Sequence, residues 1–148
     1  MAPSSPLAAA RILAARVLGG ATAAYVVVLV FATHYPKPER FLPSAATSDK
    51  MLHFLAYGLL AALAGGAVAA AGRWTLRRAA LLAVGLFVFA ALDEVTQPFF
   101  PPRMAEPLDW VADCVGIVIG LLGIALVVMV ARRLRPAAGQ RQLGVGAR

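Results

Sequence analysis

The side chains that could do chemistry in this 148-residue chain fall in three short segments. In the first, Asp49, His53 and Tyr57 recur at intervals of four, one face of a helix, with Lys50 beside them. An imidazole there suits general-base work near neutral pH. The second segment is Asp93-Glu94-Val95-Thr96-Gln97. Adjacent carboxylates on a helix point about 100° apart, so these two form no close dyad, and Asp93 shares its face with Gln97. The third holds Asp109 and Asp113, four apart, on a face that continues through Gly116 and Gly120. That GxxxG spacing admits a second helix at short range. Between the last two lies Arg103, whose planar fork can hold a carboxylate or a phosphate bidentately; a salt bridge to Glu106 or Asp109 would occupy it equally well. Clustered carboxylates could also hold a divalent cation, with Mg²⁺ or Ca²⁺ suited to oxygen-rich sites. The chain has no nucleophile elbow, HExxH or P-loop.

These residues need elements to position them, and composition says what kind. The chain is 61% hydrophobic and 14% charged, with a mean hydropathy of +0.78. Soluble domains carry roughly 25% charged residues, and disordered chains are poorer still in apolar ones. The expected fold is all-α, an integral membrane four-helix bundle. Its spans fall at about 17–33, 51–71, 79–97 and 109–130, since a bilayer core of about 30 Å takes roughly 20 helical residues. The uncharged part of the third, Ala79 to Leu92, covers only ~21 Å. Continued to Gln97, where Pro98 stops it, the helix reaches ~28 Å and carries Asp93 and Glu94 about a turn inside its end.

The links differ in character. His34 to Ser48 reads as a proline-bearing loop, Gly72 to Arg78 as a basic turn, and Pro98 to Pro107, with four prolines, as irregular structure. Residues 1–16 form a basic N-terminus and residues 131–148 a frayed basic tail around the 17–130 domain. Cys114, the single cysteine, excludes an intramolecular disulfide and any CxxC motif.

Charge sets the expected orientation. Arg11, Arg16, Arg73, Arg77, Arg78, Arg132, Arg133, Arg135, Arg141 and Arg148 lie on one side of the spans, against Lys37, Arg40, Lys50 and Arg103 on the other. The positive-inside rule then places both termini in the cytoplasm of a multi-pass plasma-membrane protein. The same clustering accounts for the net charge of +7 without nucleic acid. All seven carboxylates, Glu39 included, fall on the outer side. A cleaved signal peptide ending near Val30-Phe31-Ala32 is the competing reading of the first span, but its apolar core is longer than the usual 7 to 15 residues.

The outer helix ends treat their acids unequally. Thr47-Ser48-Asp49 offers an N-cap to the second helix, and Asp109 sits where the fourth helix dipole favours an anion. Asp93 and Glu94 sit at the negative end of the third helix, inside the membrane, and need an answering cation or donor. Arg103, Lys50 and His53 are the side chains to supply it, alone or with a bound ligand.

In order, Asp49-Lys50-Met51-Leu52-His53-Phe54-Leu55-Ala56-Tyr57, then Asp93-Glu94-Val95-Thr96-Gln97 with Phe100 and Arg103, then Asp109-Trp110-Val111-Ala112-Asp113 with Gly116 and Gly120, resemble the DK..HF.AY, DE..Q.F.pgR and D..aN..G blocks of the VanZ-like family. The chain departs from that pattern at Asp113, where Asn is expected, and at Pro102, where Gly precedes the loop arginine. An ionised Asp accepts but cannot donate as Asn does. The resemblance implies a small bacterial membrane protein of the cell envelope, in a family named for a member that lowers susceptibility to the glycopeptide teicoplanin. Two functions compete. One is binding of an envelope lipid, a glycopeptide or a membrane-protein partner at the outer polar cluster. The other is a metal-assisted membrane enzyme acting on a lipid-linked or phosphorylated substrate, with His53 or an acid as general base. Transport ranks last, because the chain shows neither a repeat nor broken helices.

Overall fold

The computed structural model describes residues 5–35 and 49–134. They form α1 (Pro6–His34), α2 (Asp49–Ala70), α3 (Leu76–Thr96), a 3₁₀ turn (Gln97–Phe99) and α4 (Pro107–Arg133). Each of the four helices is long and apolar enough to cross a membrane, and no strand occurs among the described residues. The Thr47-Ser48 cap and the tail beyond Leu134 lie outside the described residues.

Local chemistry explains the helix ends. Ser5 caps α1, its hydroxyl accepting from the Ala8 N–H at 3.2 Å, with Pro6 at the first helical position. The helix therefore starts well ahead of the apolar run and carries Arg11 and Arg16 on it. At the far end of α2, Gly72 adopts φ +71°, and its N–H and that of Arg73 bond back to the Ala69 and Val68 carbonyls at 2.8 and 3.0 Å. This is a Schellman closure, and only glycine takes that φ without strain. Thr75 caps α3 through the Arg78 N–H at 3.2 Å, so α3 begins at Leu76 rather than at residue 79. With 21 residues it measures ~31 Å and crosses without stretching. Asp93 and Glu94 lie in its last turn. The link after it is not wholly irregular, because Gln97–Phe99 tightens into the 3₁₀ turn before the chain reaches Pro107, which opens α4.

Successive helices run antiparallel. Arg11 Nε meets the Ala70 carbonyl at 3.5 Å and an Arg132 Nη2–H donates to the Trp74 carbonyl at 3.1 Å at one end. At the other end Thr33 meets Asp93 and His53 meets Asp113. Among the described residues, Arg11, Arg16, Arg73, Arg77, Arg78, Arg132 and Arg133 thus gather at the end opposite the carboxylates.

α2 packs most extensively on α4, with α1 against α2 and α3 against α4. The α2–α4 contact is made of small residues. A Cβ on Gly116 would overlap the Phe54 carbonyl oxygen and stand 3.0 Å from the Gly58 nitrogen. One on Gly120 would overlap the Gly58 carbonyl oxygen and stand 3.0 Å from the Ala61 Cβ. The GxxxG face of α4 therefore packs as its spacing predicts, against a small-residue face of α2 that includes Gly58 and Ala61. Large apolar side chains such as Phe31, Leu55, Leu81, Val88, Leu122 and Leu126 point outward, whereas the interior holds Tyr57, Leu60, Ala61, Ala90 and Ile117. Lipid is as apolar as those outward side chains, so close packing and hydrogen bonds must hold the helices together.

Gly123, on the same helix, has nothing within 4 Å of a built Cβ. Gly116→Leu is expected to destabilise the fold by about 3 kcal/mol, the upper end for overpacking, because its neighbours are backbone atoms. Gly123→Leu is expected to be near neutral. Thermal unfolding and size-exclusion profiles of the two detergent-solubilised variants check this, and equal loss in both would contradict it.

Candidate functional site

The end of the bundle opposite the arginines carries two layers of polar side chains. In the upper layer, Lys50 at the start of α2 reaches across to Glu106 Oε2 and Asp109 Oδ1, both at 2.9 Å. Because Glu106 and Asp109 bracket the start of α4, one ammonium ties α2 to both. Its hydrogen bond, reinforced by its charge, holds the Glu106 carboxyl below the usual carboxylate range. Arg103 turns instead toward Gln97 Oε1, at 3.1 Å, and Asp49 Oδ2, at 3.6 Å. Its carboxylate partner is thus Asp49 rather than Glu106 or Asp109, which Lys50 engages. The loop places it there through a turn closed by the Arg103 N–H on the Phe100 carbonyl at 3.1 Å.

The lower layer is buried. His53 Nδ1 and Asp113 Oδ1 lie 3.0 Å apart, with both side chains almost wholly enclosed. Glu94 accepts from Gln97 Nε2 at 3.0 Å through Oε2 and from the Glu106 backbone N–H through Oε1. Gln97 therefore pairs with Glu94 and not with Asp93, the residue on its expected face. The 3₁₀ turn explains this, because it brings residues three apart into line. Asp93 points toward α1, where its Oδ1 accepts from the Thr33 hydroxyl at 3.1 Å and lies 3.6 Å from His34 Nδ1. The two adjacent acids serve different partners, as their angular separation on the helix predicts.

Thr33 and His34 belong to the cluster although the sequence points to neither. His34 ends α1 rather than opening a loop; its Nδ1 donates to the Val30 carbonyl at 2.9 Å and its Nε2 meets the Thr96 hydroxyl at 3.0 Å. Phe100 packs edge-on against its ring with centroids 4.9 Å apart. The available signal was a polar pair at the C-terminal end of the first span, matching the polar ends of the other three.

All ten candidate polar residues meet at this one end: Asp49, Lys50, His53, Tyr57, Asp93, Glu94, Gln97, Arg103, Asp109 and Asp113. Their charges are unevenly answered. Lys50 serves Glu106 and Asp109, and Arg103 serves Asp49, which leaves Asp93, Glu94 and Asp113 with imidazoles as their only nearby basic side chains among the described residues. Tyr57 is fully buried, and its hydroxyl interacts with Asp93 without a hydrogen bond of normal geometry. Asp93 Oδ2, Asp113 Oδ2 and Arg103 Nε are likewise buried and without a hydrogen-bond partner among the described residues. Two trios bring potential ligand atoms within 4.8 Å of one another, His53 with Glu94 and Asp113, and Asp49 with His53 and Asp109.

Beside the cluster a cavity of about 340 Å³ opens between α1 and α2. Leu29, Phe31, Ala32, Leu52 and Ala56 supply apolar lining, and Thr33, His53, Asp49 and Arg103 supply its polar groups. Apolar lining with a few convergent polar groups is the usual form of a ligand site.

The sequence profile of the VanZ/LLP1 family matches residues 19–129, and the chain belongs to that family. Neither a curated protein nor a solved structure is detectably similar to it.

The Lys50–Glu106 contact has a pH signature. A carboxyl whose folded pKa is depressed stabilises the fold above its unfolded value, about 4.3 for Glu, and the contribution disappears as pH falls through the folded value. The difference in Tm between wild type and Glu106→Gln is therefore expected to be small but positive at pH 7 and to vanish on acidification. In a Lys50→Met background it should be absent at both pH values; persistence there would assign the effect to another partner.

Proposed function

We propose that this VanZ/LLP1 family member is a multi-pass protein of the bacterial plasma membrane whose extracytoplasmic polar cluster binds an anionic, lipid-linked envelope component and thereby alters susceptibility to teicoplanin. The gathering of arginines at the opposite end of the bundle supports a cytoplasmic position for both termini. The observation that carries the ligand class is Arg103. It lines a largely apolar cavity between two membrane helices and retains a buried Nε without a hydrogen-bond partner among the described residues. An acyl or prenyl chain fits against Leu29, Leu52 and Ala56, while the guanidinium receives a phosphate or carboxylate head. Asp49, 3.6 Å from Arg103, is the group such a head would displace.

One observation favours the second reading, a metal-assisted enzyme acting on a lipid-linked or phosphorylated substrate. His53 is oriented by Asp113 at 3.0 Å, the arrangement of a general base held by a carboxylate, and Glu94 converges on the same point. That reading requires turnover to depend on metal and to collapse in Glu94→Gln.

The test is teicoplanin and vancomycin susceptibility in a glycopeptide-sensitive Gram-positive host producing wild type, Asp93→Asn or Arg103→Ala at matched membrane levels. Lipids retained by each purified protein are identified in parallel. Reduced teicoplanin susceptibility with wild type only, together with loss of a retained anionic lipid in Arg103→Ala, is the expected outcome. An unchanged lipid profile in Arg103→Ala would refute the assigned binding role, and an absent susceptibility shift would detach this chain from the resistance phenotype.

A further inference from the structure

We propose that His53, Glu94 and Asp113 form a site for one divalent transition-metal ion of the Zn²⁺ or Mn²⁺ class, held where α2, α3 and α4 meet at the outer end of the bundle. This deepens the metal-assisted reading by making His53 a ligand in place of a general base, and it does not depend on what occupies the cavity between α1 and α2.

Geometry is the first argument. Each of the three side chains offers a ligand atom, and these atoms all lie within 4.8 Å of one another. Ligands ~2.0–2.2 Å from a tetrahedral ion stand ~3.4 Å apart, so a movement of about 1 Å or less by each atom brings the trio onto a metal. The ligands come from three different helices, and the close α2–α4 packing holds two of them.

Charge supplies the second argument. Two buried carboxylates so close together repel one another and have lost their hydration. Lys50 and Arg103 engage other acids, so neither is placed to neutralise this pair. A divalent cation would compensate both carboxylates at once. The same reasoning separates this trio from Asp49, His53 and Asp109, whose two carboxylates already meet Arg103 and Lys50.

The third argument is independent of the clustering. The Asp113 side chain is completely enclosed, yet its Oδ2 has no hydrogen-bond partner among the described residues. Buried carboxylate oxygens are ordinarily satisfied, and an orphan beside an imidazole and a second carboxylate marks the place of a missing partner. The outer contacts also suit a metal centre. Gln97 Nε2 and the Glu106 N–H donate to the Glu94 carboxylate and fix its direction, as donors behind metal-binding carboxylates do.

The donor set chooses the ion. One imidazole nitrogen with two carboxylates suits Zn²⁺ or Mn²⁺, whereas Ca²⁺ demands six or more oxygens and Mg²⁺ keeps most of its water. The Mg²⁺ or Ca²⁺ expected from carboxylates alone gives way because the structure adds His53 to them.

The experiment is isothermal titration of chelator-stripped, detergent-purified full-length protein with Zn²⁺, Mn²⁺, Mg²⁺ and Ca²⁺, with metal content after dialysis measured by mass spectrometry. Wild type is expected to take up one equivalent of Zn²⁺ or Mn²⁺ more tightly than Mg²⁺ or Ca²⁺. Glu94→Gln and His53→Gln, each checked for helical content and monodispersity, are expected to weaken uptake at least about tenfold. Asp109→Asn should leave it within a few-fold of wild type. Absence of stoichiometric uptake, a preference for Ca²⁺ or Mg²⁺, or undiminished uptake by folded Glu94→Gln would overturn the proposal. Loss in Asp109→Asn and His53→Gln with undiminished uptake by Glu94→Gln would do so as well, by moving the ion to the other trio. Uptake is read on purified protein, so it stands or falls separately from the susceptibility result.

Discussion

The close approach of α2 and α4 is the constraint on which the rest of this molecule depends. Helices in lipid gain nothing from hiding apolar side chains from one another, so they associate through tight packing and polar contacts. Here Gly116 and Gly120 lie against the backbone of α2 around Gly58, with no room for a Cβ at either position. That separation lets His53 reach Asp113 and Lys50 reach Asp109 with short side-chain contacts. A wider gap would leave buried acids facing no partner. Packing and polar chemistry are therefore coupled: the small residues set the distance, and the polar pairs reward it.

The groups at the polar end differ in how much water each retains. Lys50 and Glu106 remain substantially exposed, so their contact contributes modestly and is screened by salt. His53, Asp93, Glu94 and Asp113 are enclosed, where a missing partner is far more consequential than a surface ion pair. Hydrogen bonds from Thr33 and Gln97 support two of these acids without supplying charge. What remains is a set of buried carboxyl groups beneath a layer containing Lys50 and Arg103. Such a cluster has the chemistry to receive cations, protons or the polar head of a ligand.

The link between α3 and α4 carries the arginine that joins these layers. Its prolines prevent a continuous helix, while the 3₁₀ turn directs Gln97 inward to Glu94 and back to Arg103. Glu106 then contributes twice, its backbone N–H to Glu94 and its side chain to Lys50. Phe100 fastens the same link to His34 at the end of α1. All four helices are thus connected at the polar end, although α1 packs mainly on α2 elsewhere. A ligand displacing Asp49 from Arg103 would disturb this network without breaking the apolar packing below it.

Composition and hydropathy alone determine that the chain holds four helices long and apolar enough to cross a membrane, because the bilayer sets a length and excludes charge over that length. Three polar blocks at the same side are equally legible, since helix periodicity and alternating spans place Asp49, His53, Asp93, Glu94, Asp109 and Asp113 at one end. Even the α4 packing face can be read from the spacing of Gly116 and Gly120. The partnerships are another matter. That Arg103 pairs with Asp49 while Lys50 takes Glu106 and Asp109, that Gln97 turns to Glu94, and that Thr33 and His34 complete the cluster are decided by tertiary structure. Each depends on helix rotation, on the path of an irregular link, or on a helix end extending past its apolar run. Periodicity specifies which face a residue occupies along its own helix; only packing between helices specifies which face lies opposite.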